Sequence, residues 1–160
     1  MIDPDFPDVH HQLALAFSHM GELTLELEHF HRALHHFRIA AKRDEENDQI
    51  ILDWGISLIN IAEETSDSSE REQRYRDAEH KLLQAARFGN IQAFYHLSGL
   101  YSLLGQYDNA IYFLEKSLVN DSLPPLEEVC QDEWLSGLRT TQAFQDFLAR
   151  IERRISLLDT

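Results

Sequence analysis

The residues in this chain best able to do chemistry are its histidines, and seven of the nine, His10, His11, His19, His29, His31, His35 and His36, fall within the first 36 positions. His31 and His35 stand four apart, which on a helix places them on one face, with Glu28 one turn earlier. That trio is a partial ligand set for a divalent metal. A zinc site draws on three or four converging ligands held by an orienting outer shell, and neither an HExxH run nor a zinc-type Cys/His spacing occurs. No metal and no cofactor is therefore expected. The histidines read instead as the solvated face of a helix that gains charge near about pH 6. Protonating all nine would move the formal net charge from −14 to −5, a change large enough to remodel contacts, so a response to pH stays open.

Other reactive arrangements are missing from the sequence. There is no Gly-rich phosphate loop, no GxSxG turn, and no carboxylate pair that a fold would obviously bring into one cleft, so the chain is not expected to be an enzyme. The single cysteine, Cys130, has no CxxC partner; it reads as a structural thiol, excludes an internal disulfide framework and points to a reducing, cytoplasmic setting. With 28 acidic against 14 basic residues the chain is a poor match for nucleic acid, which needs clustered Lys and Arg, and for anionic membrane surfaces. From Glu133 onward four acids balance four arginines, so the whole excess of negative charge lies earlier and would steer a positively charged partner there. The first residues lack the basic and apolar regions of a secretory signal, and the apolar stretch 50–62 is broken by Asp53 and Asn60 and is too short to span a bilayer.

The elements that must carry these residues are set by an internal repeat. Residues 14–47 and 91–124 superpose at an offset of 77, matching Phe17 with Phe94, Met20 with Leu97, Gly21 with Ser98, Phe30 with Tyr107, Ala33 with Ala110, Phe37 with Leu114 and Ala40 with Ser117. A third copy lies between them. Ile51, Trp54, Gly55 and Leu58 follow Phe17, Met20, Gly21 and Thr24 by 34 residues, but Tyr75, Ala78, Leu82 and Ala85 follow Phe30, Ala33, Phe37 and Ala40 by 45, eleven residues late. The polar run 63–70 falls at that point and predicts an extended first helix followed by a solvated loop near 63–72. Apolar residues three and four apart define one stripe per helix. Small residues, Gly21, Gly55, Ser98, Ala33, Ala78 and Ala110, mark where helix backbones must approach.

This 34-residue pattern resembles the tetratricopeptide repeat, a helix-turn-helix unit. The likeness is best in the last copy, through Phe94, Leu97, Tyr101, Gly105, Tyr107, Ala110 and Leu114. It implies an all-α fold, a right-handed α-solenoid of three helix-turn-helix repeats plus C-terminal capping helices. Residues 1–13 are then a lead-in and the start of the first helix, with Pro4 and Pro7 holding the lead-in extended and Asp8 as its cap; 14–47, 48–90 and 91–124 are the repeats, and 125–160 the cap, all in one domain. In the cap, Phe144, Phe147, Leu148, Ile151, Ile155 and Leu158 form a helical stripe that would cover the third pair. The run Asp132, Leu135, Leu138, Arg139, Phe144, Phe147 and Leu148 resembles a tail that follows such arrays in various bacterial proteins.

In tetratricopeptide proteins the first helix of each pair lines a concave surface that takes an extended or helical segment of a partner. Carried over by register, the candidates are Leu15, Ser18, His19, Glu22, Leu25 and Glu26 in the first copy, Gln49, Leu52, Asp53, Ile56, Ile59 and Asn60 in the second, and Gln92, Tyr95, His96, Ser102 and Leu103 in the third. No Lys or Arg is among them, which speaks against the carboxylate clamp by which some members hold an acidic tail. An apolar floor with a few acids suits a segment with apolar anchors and a basic residue. Leu52, Ile56 and Tyr95 are expected on that floor, and Ile51, Trp54, Gly55 and Leu58 in the seam between helices. The expected role is a non-enzymatic adaptor or chaperone. Size, charge and repeat number also resemble small acidic secretion chaperones that hold an export substrate. Self-coverage by residues 2–7, or a homodimer, is the competing use of the same surface.

Overall fold

The structure, a computed structural model, describes residues 7–159, with side chains from Val9 onward; the expected lead-in before Pro7 and its fold-back lie outside these residues, while Pro7 itself is helical and not extended. All the described elements are helical. They are α1 (Pro7–Thr24), α2 (Leu27–Arg43), α3 (Asp48–Glu64), α4 (Ser68–Arg87), α5 (Ala93–Leu103), α6 (Tyr107–Val119), α7 (Leu126–Gln131), a 3-10 turn (Glu133–Leu135), α8 (Ser136–Arg139) and α9 (Gln142–Leu158). Because α1 already includes Pro7, Asp8 sits inside its first turn and not ahead of it as a cap; proline at a first helical position gives up an N–H that has no partner there anyway. The chain divides into two compact units, residues 1–93 and 94–160.

In the first unit α1 packs on α2, α3 on α4, and α2 and α1 both meet α3. The core is built where the repeat places its small and aromatic positions: Ala14, Ala33, Phe37, Ala40 and Ile50 are buried together, with Phe17 and Trp54 packed on them. The close approaches are tight. A Cβ at Gly21 would come within 2.7 Å of the buried Phe30 ring, and one at Gly55 within 2.9 Å of Leu82. Each glycine therefore admits a large side chain from the second helix of its own pair. A glycine inside a helix costs about 1 kcal/mol relative to alanine, which the buried ring or leucine must offset.

The eleven extra residues of the middle copy do not make a loop. Six lengthen the end of α3 relative to α1, four lengthen the start of α4 relative to α2, and one widens the connector, which is only residues 65–67. Asp67 caps α4 by accepting the Glu70 N–H at 2.8 Å, the aspartate and glutamate standing at capping-box spacing. The polar stretch beyond it is held as helix by pairs one turn apart, Arg76 with Glu72 (2.8 Å) and Gln73 with Asp77 (2.9 Å). Ser and Asp composition suggested loop, yet one cap and a series of exposed pairs suffice for helix once Tyr75, Ala78 and Leu82 anchor the inner face.

In the second unit α5 and α6 join through Phe113, whose ring stacks on both Phe94 and Tyr101. Gly105, at φ +71, closes α5 with a left-handed turn in which Gln106 N–H reaches back to the Tyr101 carbonyl (2.9 Å). The tail then folds as α7, the 3-10 turn, α8 and α9, and α9 lies on α6 with Arg150 paired to Glu115. Phe144, Phe147 and Ile151 of the expected stripe are buried, whereas Ile155 and Leu158 are exposed. The tail motif read from the sequence is thus structural: Leu135 and Leu138 are fully buried and Arg139 donates to the carbonyl of Asp132.

The Gly21 contact yields a direct test. Gly21→Ala should lower stability by about 1–2 kcal/mol in urea denaturation, the overpacking against Phe30 exceeding the gain in helix propensity. A more stable variant would show that the ring yields freely.

Candidate functional site

Helices α1 and α3 run side by side in the same direction and are pinned by polar rungs. His11 Nε2 lies 2.8 Å from Asp53 Oδ2, Ser18 Oγ bonds Ser57 Oγ, and Asn60 donates to Glu22 at 3.0 Å. Since a carboxylate only accepts, Nε2 of His11 carries the proton. Partners climb together along both helices, which fixes their register. The rungs leave Leu15, His19 and Glu22 exposed on α1, beside half-buried Asp53, Ile56 and Asn60 on α3.

Two of the expected floor residues are not on that face. Leu52 and Ile59 are 1% and 0% exposed, held in the core by the turn that also buries Ile51 and Leu58, so neither can meet a partner. Ser18 is likewise buried, as the middle rung. Leu25 is exposed in the connector with φ +59, a left-handed backbone that leucine adopts only under constraint. Trp54, expected in the seam, is only half-buried: it stacks on Phe37 at 6.5 Å and takes the Lys81 ammonium over its outer face at 3.8 Å. Met20, although it stands at a large-residue position, is exposed.

The corresponding face of the second unit is occupied by the chain itself. Tyr95 donates its hydroxyl to Asp132 at 2.7 Å, and burial together with that carboxylate pushes the phenol far above its ordinary range. Asp132 also accepts the Trp134 N–H at 2.9 Å, so one carboxylate ties the tail to α5 and starts the 3-10 turn. Trp134 lies on Gly99, where an added Cβ would sit 3.0 Å from the indole, and edge-on to His96 at 6.5 Å between ring centroids. Ser102 is buried, and Leu103 is half-buried. Tyr95 and His96 thus lie on α5 engaged within the unit, Ser102 is buried there, and Tyr95 is no free anchor. The signal in the sequence is Gly99: in a helix interior, at the position equivalent to Glu22, it needs a reason, and the reason is the indole of Trp134.

The histidines also group differently from their spacing. His31 and His35 remain exposed, and Glu28 pairs with Arg32 at 2.9 Å. The contact that forms crosses from α1 to α2, where His10 and His36 face each other through Nδ1 atoms 3.0 Å apart, with Phe17 stacked on His36 at 5.6 Å. One ring must donate and the other accept, so the contact exists only while at least one ring is neutral. Burial first, then the neighbouring His35 and His10, holds the His36 pKa below its ordinary 6.5. Among the described residues no three His, Cys, Asp or Glu side chains converge on a metal position, and no helix is long and apolar enough to cross a membrane. Neither a family model nor a curated protein matches the chain.

Two measurements follow from these contacts. Tyr95→Phe should lower the stability of the folded chain by about 1 kcal/mol in urea denaturation, because a hydrogen bond to a charged group is lost while Asp132 keeps the Trp134 N–H; unchanged stability would leave Tyr95 free to serve a partner. For His36, the unfolded chain takes up the proton first as pH falls, so stability present above about pH 6.5 is lost as pH drops toward the lowered folded value. Acid also relieves the repulsion of a −14 chain. The histidine term is therefore read as a difference: melting temperature should fall more between about pH 7.5 and 5.5 in the parent than in His36→Gln.

Proposed function

We propose that this chain is a non-enzymatic protein-binding module, an adaptor or chaperone built as an α-solenoid of tetratricopeptide type, which receives a partner segment on the α1–α3 face of its first unit. The observation that carries the reading is the set of polar rungs His11–Asp53, Ser18–Ser57 and Glu22–Asn60, which hold Leu15, His19 and Ile56 in fixed register. Ordered side chains on rigid helices lower the entropy lost on binding. The acids on this face, Glu22 and Asp53, favour a segment with apolar anchors and a basic residue. The second unit contributes little to that contact, because Tyr95 and His96 are engaged by Asp132 and Trp134. The exposed, unpaired Cys130 fits a reducing location such as the cytoplasm. Small size, acidity and the repeats also fit a chaperone that holds an export substrate.

A second reading rests on a different surface of α1. Leu13, Ala16, Met20 and Leu23 are exposed at helical spacing, a stripe that a second copy of the chain would cover in a homodimer. Sedimentation of the parent against Met20→Glu separates the two: a dimer lost in the variant favours self-association.

Partner capture from the native source tests the main reading. Leu15→Arg and Ile56→Arg should each weaken capture by about 1–3 kcal/mol with little change in melting temperature. Capture that survives both substitutions in the folded variants would place the binding surface elsewhere.

A further inference from the structure

On the side of α3 opposite Asp53, Ile56 and Asn60, the first unit has a trough between α2 and α4. It consists of two clefts of about 260 and 590 Å³ that share Arg38, Trp54 and Lys81. Its floor is apolar, with Leu34 and Leu58 at one end, Trp54 in the middle and Ile51 with Phe88 at the other. Its walls carry four basic side chains, Arg38 and Lys42 from α2 and Arg74 and Lys81 from α4, against three acidic ones, Asp77 beside Arg74 and Lys81, and Glu45 and Glu46 at the far end. In a chain of net charge −14 a stretch of surface where basic side chains are not outnumbered needs an explanation.

The cations are poorly neutralised. Lys81 places its ammonium over the Trp54 indole, 3.8 Å from the ring centroid, and burial holds its pKa below the ordinary range despite the nearby Asp77. Asp77 itself accepts from Gln73 at 2.9 Å. Arg74 keeps its Nε buried with no hydrogen-bond partner, and its terminal nitrogen is 3.8 Å from Glu70, at the outer limit of an ion pair. A partly desolvated ammonium and an unmatched guanidinium N–H across an apolar floor favour a carboxylate that brings hydrophobic surface with it.

We propose that the α2–α4 trough is a second binding site, for an extended acidic peptide segment of a partner protein whose carboxylates meet Arg38, Arg74 and Lys81 while a neighbouring apolar side chain covers Trp54. A small anion would use the cations and leave the floor wet. A nucleic acid would bring many charges into a field that is negative overall, past Glu45 and Glu46 at one end of the trough. A short segment with one or two carboxylates among apolar residues matches both the walls and the floor. The site is independent of the α1–α3 face, which suits a basic segment.

The test screens the 160-residue chain against a random-peptide array and then measures selected peptides in solution by fluorescence anisotropy. Bound peptides should be enriched in Asp or Glu beside Leu, Phe or Trp. Arg38→Glu and Lys81→Glu should each weaken them by about tenfold or more, and added salt should weaken them too. Arg38 is exposed, so its variant carries the test even if Lys81→Glu disturbs the packing on Trp54. Ile56→Arg should leave this binding unchanged, so failure here and failure of the α1–α3 reading are distinguishable. No enrichment of acids, unchanged affinity in Arg38→Glu, inorganic phosphate alone binding as tightly as the peptides, or a single-stranded RNA binding there instead would each overturn the proposal.

Discussion

Helices that are apolar on one stripe only must find a partner for that stripe, and in this chain the distance of approach is set by a few small residues. Gly21 under Phe30 and Gly55 under Leu82 bring the two helices of each pair in the first unit to van der Waals contact. Ala33, Ala78 and Ala110, each fully buried, perform the same service from the second helix of each pair. Aromatic rings can then lock one layer to the next, as Phe37 does on Trp54. The face between α1 and α3 and the trough between α2 and α4 both exist because these approaches hold the helices at fixed spacing and rotation. Dense packing of this kind transmits a shift at one contact to its neighbours.

Equivalent positions of the repeat have been turned to opposite ends. Ser18, His19 and Glu22 correspond to Tyr95, His96 and Gly99. In the first unit Ser18 and Glu22 bond to α3 and leave His19 outside. In the second unit Tyr95 reaches Asp132, and Gly99 makes room for the Trp134 indole. The same helical face is thus open in one unit and closed by the chain's own tail in the other. Asp132 is the pivot, since its side chain takes both the Tyr95 hydroxyl and the Trp134 N–H and its carbonyl takes Arg139. A tail that closes one unit covers apolar surface of α5 and α6 that would otherwise be exposed.

Much of the helix register is legible in the sequence because it rests on local spacing. Phe30, Ala33, Phe37 and Ala40 are buried together, as their recurrence three and four apart requires. The polar stretch after Glu64 misleads, because composition does not reveal that Asp67 caps a helix. Surface assignments fare worse. Leu52 and Ile59 look like groove residues by register, yet lie in the core, since on a helix apolar nearly all round the buried arc widens beyond one stripe. The His10–His36 contact and the Trp54–Lys81 trough join residues from different helices, and helical spacing along one segment carries no information about them.

The central claim, that one repeat face is open and its counterpart closed, can be read from thiol labelling of paired positions. His19→Cys and His96→Cys occupy the same place in the repeat and are compared in a Cys130→Ser background, because Cys130 is exposed and would react. The account predicts that His19→Cys labels close to the rate of a free thiol, while His96→Cys, beside Trp134, is slowed about tenfold or more and requires opening of the tail. Equal, rapid labelling at both positions in folded protein would contradict it.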